Sequence, residues 1–214
     1  MRSLLKVTVA AVVVVVSSGC ATAKFNALEK VGIHKRDILV SNVEDTRDAQ
    51  KEAQEQFQDA LQRFEQVVTV EDTELKKAYN QLNDEYEDSV DAAQDVSDEI
   101  ADVQEVAEAL FEEWKEENTI YTDAVLRGNS ESKLADTQSR YQEMLRSMKD
   151  AEASMEPVLS TMRDNVLYLK HNLNAQAVGS LQTTFNELEG DIGILIERMN
   201  QSIERSNDFI ANLN

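Results

Sequence analysis

Two histidines, His34 and His171, and four methionines along one stretch, Met144, Met148, Met155 and Met162, are the side chains whose types invite chemistry. An imidazole can serve as general base or metal ligand near neutral pH, and thioethers favour Cu(I). The spacing supports neither use. Val31 stands three residues before His34 and Tyr168 three before His171, so the Glu-x-x-His pairs of di-iron bundles are missing. The chain has no H-E-x-x-H run, no phosphate-cradling glycine loop and no G-x-S-x-G elbow. The methionines recur at helical seam spacing, where an unbranched thioether is a packing residue. No residue is therefore assigned a catalytic, cofactor-binding or metal-binding role. A rival reading keeps His34 or His171 as part of a ligand- or metal-sensing site, or an enzyme, using nearby carboxylates in a pocket between helices.

The remaining reactive residue is Cys20, the one cysteine in the chain. It closes a segment that opens with Arg2 and Lys6, continues through an apolar run from Val7 to Val16 broken by Thr8, and ends in Ser17-Ser18-Gly19-Cys20. A basic start, a short apolar stretch and small residues before the cut mark a secretory signal. The run is about half of the roughly 20 residues that a membrane-spanning helix needs. Small residues followed directly by cysteine resemble the bacterial lipobox, with Ser17 in place of the commoner leucine. Cleavage after Gly19 then makes Cys20 the acylated first residue. Two or more acyl chains, at about 0.8 kcal/mol per buried methylene, anchor stably. Ala21, where an aspartate would signal retention, points to the periplasmic face of the outer membrane. Acylation consumes the lone thiol, so no disulfide forms and stability must come from packing.

The elements that carry these residues are helical. Glycine and proline are scarce, with six and one respectively, and no alternating run is bounded by turn residues. From Leu75, alternate steps of four and three give Tyr79, Leu82, Tyr86, Ser89, Ala93, Val96, Ile100, Val103, Ala107, Leu110 and Trp114, a heptad seam widened by Val90 and Val106. A preceding stripe runs through Val43, Thr46, Gln50, Ala53, Phe57, Ala60, Phe64 and Val67. A third follows Leu134, Thr137, Tyr141, Met144, Met148, Ala151, Met155, Val158, Met162, Asn165 and Leu169. A fourth follows Leu181, Phe185, Leu188, Ile192, Leu195, Met199, Ile203 and Ile210. Thr69 with Asp72 resembles a capping box opening the second helix. Arg127-Gly128-Asn129-Ser130 offers a turn and a serine N-cap for the third. The stretch from Asn172 to Ser180 separates the third from the fourth. Pro157 kinks the third helix or restarts it at a first-turn position. Gly190 and Gly193 permit either close helix approach or a bend.

The expectation is an all-α, elongated antiparallel bundle of about four long helices, with Gln50, Ser89, Asn165 and Asn172 pinning the register or sitting at a wet edge. Residues 1–19 form the signal peptide, 20–40 a lipidated basic segment, and 41–214 the helical bundle domain. A homo-oligomeric coiled coil, with the seams buried between chains, is a further alternative.

The formal net charge is −20, and cleavage of two basic groups takes it to about −22. Thirteen acids and no basic residue lie between Ala78 and Trp114, a face suited to solvation and placed to meet basic residues of the third helix. This charge argues against nucleic acid as a partner. Lys24, Lys30, Lys35 and Arg36 give the first mature segment the opposite sign, drawing it toward anionic headgroups.

Glu29-Lys30-Val31-Gly32-Ile33-His34-Lys35-Arg36-Asp37-Ile38-Leu39-Val40, then Glu108-Ala109-Leu110-Phe111-Glu112-Glu113-Trp114, then Tyr168-Leu169-Lys170-His171-Asn172-Leu173-Asn174-Ala175 resemble a proteobacterial lipoprotein family catalogued as domain of unknown function 2959. The similarity covers nearly the whole mature chain and implies no activity. The sequence thus describes a non-enzymatic, lipid-anchored helical protein of the periplasm, an envelope scaffold, spacer or adaptor. It touches the membrane through its N-terminal anchor and meets an envelope protein of unassigned identity. Lipidated helical proteins joined covalently to peptidoglycan end in lysine, and this chain ends in Asn214, so covalent attachment to the wall is not expected and non-covalent contact stays open.

Overall fold

A computed structural model describes residues 25, 32, 34–68, 75–172 and 175–213, with the backbone alone for residues 175–180. Among the described residues there are five α-helices and no strand: α1 (Lys35–Val68), α2 (Leu75–Asn118), α3 (Ala124–Ala153), α4 (Met155–His171) and α5 (Ala175–Leu213). Helix α2, with 44 residues, is about 66 Å long at 1.5 Å per residue. Cross-helix contacts fix the topology. Lys35 reaches Glu113 while Gln56 and Arg63 reach Glu85, so α1 and α2 are antiparallel. Gln50 meets Ser202 and Phe64 meets Phe185, so α5 is antiparallel to α1 as well. Phe111 packs on Tyr141 and Ser97 bonds Glu152, which turns α3 back along α2. The result is an up-down-up-down bundle with α3 and α4 forming one arm.

All eight positions of the predicted α1 seam are buried, and α1 begins earlier than the residue-41 boundary and the Val43 seam start. The Asp37 carboxylate accepts from the His34 N–H at 3.4 Å, a reach-back that satisfies one orphan donor at the helix start. Burial of Leu39 adds a further seam step.

The arm formed by α3 and α4 keeps its heptad phase through a break. Ser154 closes α3 with its N–H and hydroxyl both bonded to the Ala151 carbonyl, and α4 starts at Met155. Pro157 is the third residue of α4, where its missing N–H costs nothing because first-turn donors lack intrahelical partners anyway. This is the first-turn restart.

Three expectations are corrected. Ser130 does not cap α3: Asp123 does, accepting from Val125 N at 2.8 Å and Leu126 N at 3.1 Å, and Gly128 lies inside the helix. The gap before the last helix is shorter than 172–180, because α5 already begins at Ala175. The α5 seam departs from Ile203 and Ile210, which are half-buried, and runs through Ser202, Ser206, Phe209 and Leu213. Ser206 can occupy the core because its hydroxyl donates to the Ser202 carbonyl at 2.9 Å, and Ser202 Oγ accepts from Gln50. The Thr69–Asp72 capping box lies outside the described residues.

Helix α2 shows a smaller drift. Toward its C-terminus the buried stripe passes from Ala107 to Phe111 and Asn118, leaving Leu110 and Trp114 half-buried. A straight helix drifts about 20° per heptad against a 3.5-residue repeat, close to one residue over five heptads.

Of the proposed polar notches, Gln50 alone bonds across helices, to Ser202 Oγ at 3.0 Å. Ser89, Asn165 and Asn172 donate to carbonyls four residues back in their own helices. Thr46, Gln50, Ser202 and Ser206 form a fully buried polar stretch on the α1 and α5 seams.

Candidate functional site

The histidines are at opposite ends of the bundle. His34 precedes α1, is exposed, and its carbonyl accepts from Asp37 N and Ile38 N. His171 ends α4, also exposed, with the whole α3–α4 arm between it and the end where His34 lies. Met144, Met148, Met155 and Met162 are all buried among apolar neighbours of the core. Among the described residues no three His, Cys, Asp or Glu side chains converge to hold a metal ion. Gly19 and Cys20 lie outside the described residues.

Three clefts occur near the end where α1 begins and α5 finishes, one of them an open recess of about 450 Å³ lined by Glu117, Ile120, Tyr121 and Thr122. One of about 470 Å³ lies between α3 and α5 and is lined by Arg140, Glu143, Met144, Arg205, Asp208, Phe209 and Asn212. Its two guanidiniums are balanced by two carboxylates, so it offers no net charge to a ligand. Another of about 190 Å³ is walled by Arg36, Leu110, Glu113, Trp114, Glu117, Lys133, Thr137 and Leu213. Lys35, expected to present its charge to headgroups, is only 2 % exposed and pairs with Glu113 at 3.1 Å.

The most distinctive feature at this end is the α2–α3 connection. The Trp114 indole N–H donates to Ser130 Oγ at 2.9 Å, and that hydroxyl donates to Asn118 Oδ1 at 2.6 Å, fastening the last turn of α2 to α3. Beyond the clasp, Ile120 is 75 % exposed, Val125 71 %, Leu126 54 % and Tyr121 39 %. Their backbone is nonetheless well satisfied. Thr119 N and Ile120 N donate to Glu116 and Glu117 carbonyls, Asp123 caps two amides, and the Arg127 guanidinium donates to the Tyr121 carbonyl. Sequence reasoning passed over these four side chains because they fall outside every seam. The available signal was Asp123, a strong N-cap immediately before Ala124.

The acidic face of α2 has one electrostatic consequence. Burial, reinforced by Asp45, Asp102, Asp95 and Asp98, raises the Glu99 carboxyl above the usual glutamate range. Interhelical ion pairs among the described residues join α1 to α2, through Lys35–Glu113 and Arg63–Glu85; Arg140, Lys149 and Arg163 instead pair within their own helices. No described helix is long and apolar enough to cross a membrane.

These features define an all-α antiparallel bundle. The chain belongs to the family described as Protein of unknown function (DUF2959), which matches residues 24–213. No curated protein matches it.

Proposed function

We propose that the protein is a non-enzymatic envelope scaffold, spacer or adaptor, held by lipid on Cys20 at the periplasmic face of the outer membrane. The observation that supports this reading is the polarity of the rod. The chain enters α1 at the end where α2 meets α3, so an anchor preceding His34 fixes that end. The opposite end, where α4 finishes, is then displaced by about the 66 Å length of α2. An envelope protein partner meets the displaced portion.

Mass spectrometry of the mature N-terminus tests the anchor: a triacylated Cys20 is expected, and an unmodified N-terminus at another residue overturns it. Crosslinking in intact cells then identifies the partner, and separation of inner from outer membranes assigns the leaflet. Light scattering on the non-lipidated Cys20→Ser chain is expected to give a monomer mass, because the seams are already occupied within one chain. A higher mass favours the homo-oligomeric coiled coil.

A further inference from the structure

We infer that the exposed cap formed by Ile120, Tyr121, Val125 and Leu126 is a second membrane contact, seated in the lipid surface to which Cys20 is anchored. The inference rests on the anchoring proposed above. Four large side chains within seven residues are turned to solvent on a connection whose backbone is firmly held. Apolar side chains gathered on a braced connection of an otherwise highly charged chain are the kind of surface that marks an interaction site.

The occupant follows from where the chain is tethered. Phe25 is 2 % exposed and packs in the core. It stands nine residues before His34, a span of at most about 32 Å. That bound is measured from the neighbour of Lys35, which pairs with Glu113 near the Ile120 end. Cys20 is five residues earlier and can lie at most about 18 Å from Phe25. These bounds keep Cys20 within about 50 Å of His34, so a lipid on Cys20 leaves the cap within reach of the bilayer that holds it.

The chemistry suits the interface. Entry into a low-dielectric layer requires backbone N–H and C=O groups to be bonded internally. The Asp123 cap, the Thr119 and Ile120 amide bonds and the Arg127 bond to the Tyr121 carbonyl supply many of those bonds. Tyrosine is a residue of membrane–water boundaries, with a ring to bury and a hydroxyl to hydrate. Glu116, Glu117, Asp123 and Glu131 flank the cap against Lys115 and Arg127. Seating is therefore driven by apolar area and gains nothing from anionic lipid.

The test uses the lipidated full-length protein on vesicles of equal parts phosphatidylcholine and phosphatidylethanolamine. Acylation leaves no other thiol, so Ile120→Cys carries a single environment-sensitive fluorophore, and Glu189→Cys on exposed α5 is the control. The label at 120 is expected to shift to the blue and to be quenched by brominated acyl chains, while the label at 189 stays in water. Ile120→Asp with Leu126→Asp is expected to weaken vesicle partitioning of the non-lipidated chain about tenfold, with unchanged circular dichroism. A protein that floats with vesicles while its label at 120 remains aqueous overturns the cap contact and leaves the anchor standing. Absence of lipid on Cys20 by mass spectrometry overturns both. A blue shift that grows with protein concentration without vesicles assigns the cap to a second copy and also overturns it.

Discussion

Gly190 and Gly193 lie in the interior of α5, where sequence alone left close helix approach and bending as rival explanations. Neither requires a glycine here. Both residues face solvent, neither has a positive φ, and a Cβ at either position would meet no heavy atom within 4 Å. Alanine should therefore gain helix propensity and reduce unfolded-chain entropy at no steric cost. Each substitution is expected to contribute about 0.5–1 kcal/mol, and the pair about 1–2 kcal/mol. For a domain of this size that corresponds to roughly 2–8 °C in Tm. Urea unfolding followed by circular dichroism should show a higher midpoint with an unchanged m-value, since no buried surface is altered. A lower midpoint for Gly190→Ala/Gly193→Ala would refute the reasoning, because it would mean that a side chain or a second chain needs the space that a methyl group now fills.

Gln50 Oε1 is buried without a hydrogen-bond donor among the described residues, and an unmet acceptor costs about 1–3 kcal/mol. Gln50→Leu with Ser202→Ala is thus expected to raise the urea midpoint; a loss beyond about 1 kcal/mol would show that the pair is net stabilising. Burial, with a further contribution from Glu108, pushes the Tyr141 hydroxyl up to about 12. Absorbance titration should show a late tyrosine phase, and Tyr141→Phe should abolish it. Because the folded value lies above the unfolded one, this group's contribution is complete below the ordinary tyrosine range and lost as pH rises through about 12. Glu99 is likewise raised, but as an acid ionised at neutral pH it then costs stability, and the cost vanishes as pH falls through its raised value. Glu99→Gln should increase Tm at neutral pH by an amount that shrinks on acidification or added salt; an advantage independent of both would exclude the electrostatic cause.

Much of the bundle was legible because a heptad repeat states which residues face a neighbour. The α1 stripe from Val43 to Val67 is buried at every predicted step, and the α3–α4 stripe keeps its phase even where Ser154 and Pro157 divide the arm. The reading failed where burial and polarity disagree. Ser202 and Ser206 hold the α5 seam because hydroxyls can bond a carbonyl one turn back or a partner across the core, whereas Ile203 and Ile210 mislead by being apolar just off the seam. The helix boundary at Asp123 was missed for a related reason: Arg127-Gly128 looks like a turn, but a carboxylate capping two amides five residues earlier takes precedence.

That boundary error carries the functional cost. Placing the turn at Gly128 leaves Ile120, Tyr121, Val125 and Leu126 as ordinary loop residues, whereas starting α3 at Ala124 puts Val125 and Leu126 in its first turn, directly after Ile120 and Tyr121 in the connection. Seam residues report how the chain packs on itself and so carry little information about anything outside it. Apolar residues that obey no seam, on a connection braced by Asp123, Arg127 and the Trp114–Ser130–Asn118 clasp, are a different matter. Their exposure serves no seam of the bundle, which is why the proposed membrane contact is placed there. Leu167 and Tyr168, 49 % and 43 % exposed near the opposite end, lie within a helix and lack such bracing, so the labelled-cysteine experiment at position 120 is the sharper first test.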